Sequence, residues 1–243
     1  MSKTVGVLGG MGPAATLDFF AKVLERTRAK TDQDHLRLII DNNPSVPDRN
    51  AAVAGLGPSP GPMLAAMAQG LERAGADVLV MVCNAAHAYE EDVRSATALP
   101  FISIVAETVR STLERAPKAR TVGVLASSGC LDAGLYETAF AAHRVRTVVP
   151  EGAAREAFME LLYRIKAGDT GDAVRREMLE LAEGLLRSGA EALVAGCTEV
   201  PLVLAAEDLS VPLVASTDAL VTATLAYARG ERALLAEAPK GTP

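Results

Sequence analysis

The chain has 243 residues, 49% of them hydrophobic and 22% charged, a globular composition long enough for one large core or two small ones. A net charge of −6 argues against nucleic acid as a partner, because that role needs a basic face to displace counterions. No signal-like leader and no run of 18 apolar residues occurs, so we expect no membrane partner and a cytoplasmic location, and an odd count of three cysteines then favours free thiols.

Short β-rich apolar runs alternate with helical patterns, the mark of parallel sheets joined through helices. Strands are expected at 4–8, 37–41, 77–81, 101–104, 121–126, 146–149, 192–195 and 212–215. After the first strand comes VLGGMGP, which lacks the third glycine of the dinucleotide fingerprint. What remains is a strand–turn–helix start whose backbone N–H groups suit a carboxylate. Pro13 fits a first helical turn, and Thr16, Phe19, Phe20, Val23, Leu24 and Thr27 follow at helical spacing. GLGPSPGP at 55–62 is expected to be irregular, either a connector or a lid over a site.

An internal repeat organises these elements. TVGVL at 4–8 recurs at 121–125, GADVLVMVC at 75–83 is echoed by GAEALVAGC at 189–197, and the pairs Leu99-Pro100 and Val211-Pro212 each introduce a strand. The three matches keep their order at offsets of 117, 114 and 112, as two copies of one domain with short deletions would. Duplication gives Cys83 a counterpart in Cys197, each directly after a buried strand, where parallel sheets expose functional groups. If the halves face each other about a pseudo-twofold axis, two thiols address one ligand from opposite sides. Inverting a stereocentre by proton transfer needs such a pair, one group removing a proton and another supplying one on the opposite face. Thiols can occupy either protonation state near neutral pH. The plainer alternative is a pair of ordinary buried cysteines. Cys130 has no counterpart and is read as structural, and His35, His87 and His143 show no metal-ligand spacing.

GVLGGMGPAAT at 6–16, NPSVPDRN at 43–50, VCNAAH at 82–87, IKAGD at 165–169 and AGCTEVPL at 195–202 occur together and in this order, covering essentially the whole chain. In these motifs the sequence resembles the cofactor-independent aspartate/glutamate racemase superfamily, in its aspartate racemase-like branch. The resemblance implies an α/β fold of two pseudo-symmetric, doubly wound domains with the active site in the cleft between them. It further implies proton transfer by two cysteines without pyridoxal phosphate or other cofactor, an amino-acid substrate and a homodimer. The first domain would comprise residues 1–104 with a returning C-terminal helix in 217–243, and the second residues 105–216.

Carried onto this sequence, the resemblance makes Cys83 and Cys197 catalytic and places Met11 and Gly12 in a substrate loop. It places an anion-binding arginine at Arg49, beside Asp48, and a substrate-contacting lysine at Lys166. Arg49 is also suited chemically to a bidentate carboxylate clamp, although a surface arginine is the plainer reading. Asn84 suits either a carboxylate contact or a helix cap, and Thr198 follows Cys197 as Asn84 follows Cys83. Ser128, in the ASSG turn that mirrors Gly9-Gly10, is a candidate hydroxyl donor together with Ser127. His87, four residues past Cys83, is either a group that tunes the thiol or a helix-face histidine, and Glu199 is open in the same way. The chain departs from the branch at two positions: it reads CNAAH and PDRN where CNTAH and PDRT are usual, so Ala85 lacks a hydroxyl and Asn50 brings an amide. An acidic amino acid, aspartate or glutamate, is the expected substrate, with relaxed specificity. Two other readings remain open: a cysteine-dependent isomerase, decarboxylase or hydrolase of the same superfamily, such as a maleate isomerase, and a non-catalytic carboxylate-binding protein.

Overall fold

The structure is a computed structural model, and it describes residues 2–233. The first half runs β1 (Val5–Gly9), α1 (Pro13–Thr27), β2 (Leu38–Asn42), α2 (Arg49–Val53), α3 (Gly61–Arg73), β3 (Val78–Met81), α4 (Glu90–Ala96), β4 (Phe101–Ile102) and α5 (Ile104–Arg115). The second runs β5 (Thr121–Leu125), α6 (Ser128–Asp132), α7 (Leu135–Ala141), β6 (Arg146–Val148), α8 (Gly152–Lys166), α9 (Asp172–Arg187), β7 (Ala192–Ala195) and β8 (Leu213–Ala215), and α10 (Ser216–Ala228) follows. All eight expected strands are present, most of them a residue or two shorter than their apolar runs.

The strands form two parallel four-stranded sheets with the same order, β2-β1-β3-β4 and β6-β5-β7-β8. The central strands β1, β3, β5 and β7 are buried along their whole length, which is why they read as unbroken apolar runs. The repeat extends to packing detail. A β-carbon on Gly6 would lie 2.7 Å from Leu79 Cδ2 and 2.9 Å from the Ala76 β-carbon; one on Gly123 would lie 2.4 Å from Leu193 Cδ2 and 3.2 Å from that of Ala190. In both halves, then, the middle glycine of TVGVL lets a neighbouring strand and the turn before it close onto the first strand. Two pseudo-symmetric α/β units built on one plan are the result.

Helix α1 buries Thr16, Phe19, Val23 and Thr27 as the spacing predicts, whereas Leu24 is exposed at the edge of that face. Helix α10 is buried over most of its surface, with Asp218 and Thr222 on its outer edge, and it packs on α1 and α5 as well as following β8. Residues 234–243, the end of the expected C-terminal extension, lie outside the described residues. The irregular stretch is shorter than its composition suggests. Gly61 and Pro62 open α3, because proline is tolerated in a first helical turn, where its missing N–H would have no partner. Among the described residues, no helix is long and apolar enough to cross a membrane.

Candidate active site

The two thiols occupy equivalent places. β3 ends at Met81 and β7 at Ala195, and in each half the cysteine lies two residues further on, ahead of a short 3-10 turn. The residue between strand and cysteine is anchored identically, Val82 donating to the Leu8 carbonyl and Gly196 to that of Leu125. Cys83 and Cys197 line one cleft between the halves, together with Met11, Arg49, Asn50, Asn84, Ala85, Ser127, Lys166, Thr198 and Glu199. Its free space is about 20 Å³, room for one water molecule, so an amino acid enters only if the walls part.

The two sides of the cleft differ in polarity. Cys197 Sγ donates to Glu199 Oε2 at 3.0 Å, and the Thr198 hydroxyl donates to the same oxygen at 3.1 Å. Burial, reinforced by the charge of Glu199 and by this hydrogen bond, raises the Cys197 pKa well above its ordinary value, against the opposing pull of Lys166. Cys197 is therefore a protonated thiol at neutral pH. Lys166 Nζ lies 4.0 Å from Glu199 Oε1. Burial disfavours its ammonium, but the opposing effects, of which the charge of Glu199 is the largest, raise its pKa, so it stays charged.

Arg49 is held at the start of α2. Its guanidinium donates to the carbonyls of Val46 (3.2 Å), Pro47 (3.0 Å) and Met11 (3.4 Å), while its buried Nε has no partner among the described residues. Backbone carbonyls thus fix the guanidinium at the cleft wall, without a carboxylate partner among the described residues. Asn50 Oδ1 accepts from the Gly129 N–H at 2.8 Å, a bond that ties α2 to α6 across the cleft. Asn84 is buried, accepting from the Tyr136 hydroxyl at 2.6 Å and donating to Ser216 Oγ at 2.9 Å.

Five expected site residues have other placements or partners. Asp48 caps α2 by accepting from the Ala51 N–H, and Gly12 is the residue before α1; neither belongs to the cleft wall. The Ser128 hydroxyl faces away, held by Arg155 Nε at 3.1 Å, and its neighbour Ser127 lines the cleft instead. His87 reaches the backbone of Cys83, not its sulfur: Nδ1 is 2.8 Å from the Cys83 carbonyl, and Nε2 accepts from the Ile104 N–H at 3.1 Å. With one ring nitrogen donating and the other accepting, His87 is neutral, and burial lowers its pKa. Thr198 gives its proton to Glu199 and so does not duplicate Asn84. The stretch before α3 is also absent from the wall, and Leu56 within it is exposed. Tyr136, Ser216 and Arg155 were not legible as site residues, since each acts through a partner at least 27 positions away in sequence.

Two parallel α/β halves thus place paired thiols at matching strand ends. Residues 8–224 match the Asp/Glu/Hydantoin racemase family, and the chain belongs to that family; it is an isomerase. It is similar to the broad specificity amino-acid racemase RacX of Bacillus subtilis (strain 168), 24% identical with 91% of this chain and 96% of that protein aligned. Among solved structures, the aspartate racemase of Picrophilus torridus superposes with a TM-score of 0.83 at 28% identity, over 93% of this chain and 94% of that one. An aspartate racemase homologue from Pyrococcus horikoshii OT3 gives 0.76 at 25% identity, over 93% and 99%.

Proposed function

We propose that this enzyme interconverts the L and D forms of an acidic amino acid by proton transfer between Cys83 and Cys197, without pyridoxal phosphate. The observation that carries the reading is the pairing of two thiols, from equivalent strand ends of the two halves, on one cleft that also holds Arg49 and Lys166. Cys197, protonated against Glu199, is the acid, and Cys83 is the base for one substrate hand. For the other hand, Glu199 takes the Cys197 proton so that this thiolate removes the Cα proton, while Cys83 enters as the thiol and gives its proton to the opposite face of the substrate.

An amino-acid Cα–H is a weaker acid than a thiol by roughly ten pKa units, a deficit of about 14 kcal/mol that two thiols cannot close. The carbanion must be stabilised where its charge collects, on the substrate carboxylate. Arg49, Asn84 and Lys166 are the cleft groups able to do this, and a substrate that fills the cleft displaces the water that would compete with them. Two cations suit a substrate with two carboxylates. Ala85 offers no hydroxyl, so specificity is relaxed relative to a strict aspartate racemase, in keeping with the broad specificity in the name of the Bacillus subtilis relative. The homodimer and the cytoplasmic location belong to the same proposal.

The test is to incubate single amino acids with purified protein in heavy water, with no added cofactor. Deuterium at Cα together with loss of optical purity supports the reading and names the substrate. A covalent adduct on Cys83 during turnover would instead indicate nucleophilic catalysis. Absence of exchange with every amino acid would leave a binding protein.

A further inference from the structure

Tyr136 is almost fully buried in α7, contributes nothing to the cleft wall, and touches both thiol-bearing segments. Its ring lies against Gly196, the residue before Cys197; a β-carbon there would be 2.9 Å from Tyr136 Cε2. Its hydroxyl donates at 2.6 Å to Asn84, the residue after Cys83. Asn84 Nδ2 donates at 2.9 Å to Ser216 Oγ. Tyr136, Asn84 and Ser216 thus form a chain of hydrogen bonds drawn from α7, the β3 end and the start of α10. All three side chains are buried, so water does not compete with the chain.

The chain restricts what Asn84 can offer. A side-chain amide has one carbonyl oxygen and two N–H donors. Tyr136 fixes the oxygen side of the amide and Ser216 takes one N–H. The second N–H is left for the cleft that Asn84 lines, so the amide is oriented to offer a ligand a donor. Such a donor suits a carboxylate, and most of all a carboxylate gaining charge as a carbanion forms.

We infer that Tyr136 is a positioning residue for the racemisation, locking the Asn84 amide as a donor toward the substrate carboxylate and bracing the two thiol-bearing strand ends through one side chain. This rests on the proton-transfer reading above. Tyr136→Phe keeps the ring against Gly196 and removes only the hydroxyl. The donor matters most in the transition state, so kcat should fall about tenfold or more while KM stays within about threefold. The effect should vanish in an Asn84→Ala background, because Tyr136 acts through that amide.

Two measurements decide the matter. The first is the side-chain amide NMR signal of Asn84, assigned by its loss in Asn84→Ala. One amide hydrogen should be protected from solvent exchange in the wild type, and the protection should disappear in both Tyr136→Phe and Ser216→Ala. Unchanged Asn84 signals in Tyr136→Phe overturn the lock. The second is deuterium exchange at substrate Cα for the two single variants and the double variant. Full turnover by Tyr136→Phe, or losses that simply add in the double variant, overturns the catalytic part. If the wild type exchanges no amino acid, the racemase reading falls and takes Tyr136's catalytic role with it, while the NMR signal still decides the lock.

Discussion

Cys197 donates its thiol hydrogen to Glu199 at 3.0 Å, whereas the residue two places after Cys83 is Ala85, which has no group to accept one. Two strand ends with matching backbone therefore carry thiols in different electrostatic settings. In the proposed mechanism, Cys197 passes its proton to Glu199, whereas Cys83, with no such neighbour, exchanges its proton with substrate or solvent.

The thiols themselves give the first prediction. Cys83→Ala and Cys197→Ala should each lower racemisation by about a thousandfold or more, within the range for losing a general acid or base, with the circular dichroism spectrum unchanged. Racemisation at the normal rate by either variant would remove the two-thiol scheme.

Glu199→Gln deletes the charge that helps to raise the Cys197 pKa. Removing an anion stabilises the thiolate, so the pKa must fall. In a Cys83→Ala background, iodoacetamide should modify Cys197 faster at a given pH near 8 than when Glu199 is present, with its rate profile displaced to lower pH. Cys130 does not interfere, since it is buried and burial raises its pKa. Turnover should nonetheless decrease in Glu199→Gln, since the group that takes the proton is gone. A profile displaced upward would contradict this role for Glu199.

Asn50→Ala removes the bond to the Gly129 N–H that ties α2 to α6. A neutral hydrogen bond contributes about 1 kcal/mol, so the melting temperature should change little. The same change frees Arg49 to move with α2, and KM for an acidic amino acid should rise by about fivefold to tenfold, in line with that energy. Unchanged KM would mean that Asn50 takes no part in shaping the cleft.

His87 contributes to stability through two backbone partners. His87→Ala should cost about 2–5 kcal/mol in urea unfolding, because the Cys83 carbonyl and the Ile104 N–H both lose their partner. The pH dependence has a definite sign. The folded pKa is depressed below the unfolded value of 6.5, so the stability contributed by neutral His87 is present above pH 6.5 and is lost as pH falls through the folded value. The loss proceeds at up to about 1.4 kcal/mol per pH unit, and His87→Ala should lack that segment of the wild-type curve.

The packing repeat gives a paired test. Gly6→Ala and Gly123→Ala both overfill a strand crossing, at a cost of about 1–3 kcal/mol each. Gly6→Ala should be the more damaging. Its new methyl meets the Ala76 β-carbon at 2.9 Å, which only a backbone shift relieves, whereas at Gly123 the nearest atom is the mobile end of Leu193 and the Ala190 β-carbon is at 3.2 Å. Chemical denaturation of the two variants measures the difference.

The amino-acid sequence by itself determined the strands, their parallel arrangement, the two-fold repeat and the pair Cys83 and Cys197. These are local or periodic properties: a buried parallel strand must be apolar on both faces, and a duplicated unit repeats its glycines and its strand-end cysteines at a near-constant offset. Only the tertiary structure decided which hydroxyl of Ser127 and Ser128 meets the cleft, because Arg155 claims the second. It likewise showed that His87 serves a carbonyl rather than a thiol, and that Tyr136 and Ser216 stand behind Asn84. Those outcomes depend on hydrogen bonds between residues 27 to 132 positions apart, or on the choice between two acceptors on one helical turn. A side chain's direction is set by whichever buried partner would otherwise go unsatisfied, and no local pattern of residues records which partner the fold will bring to it.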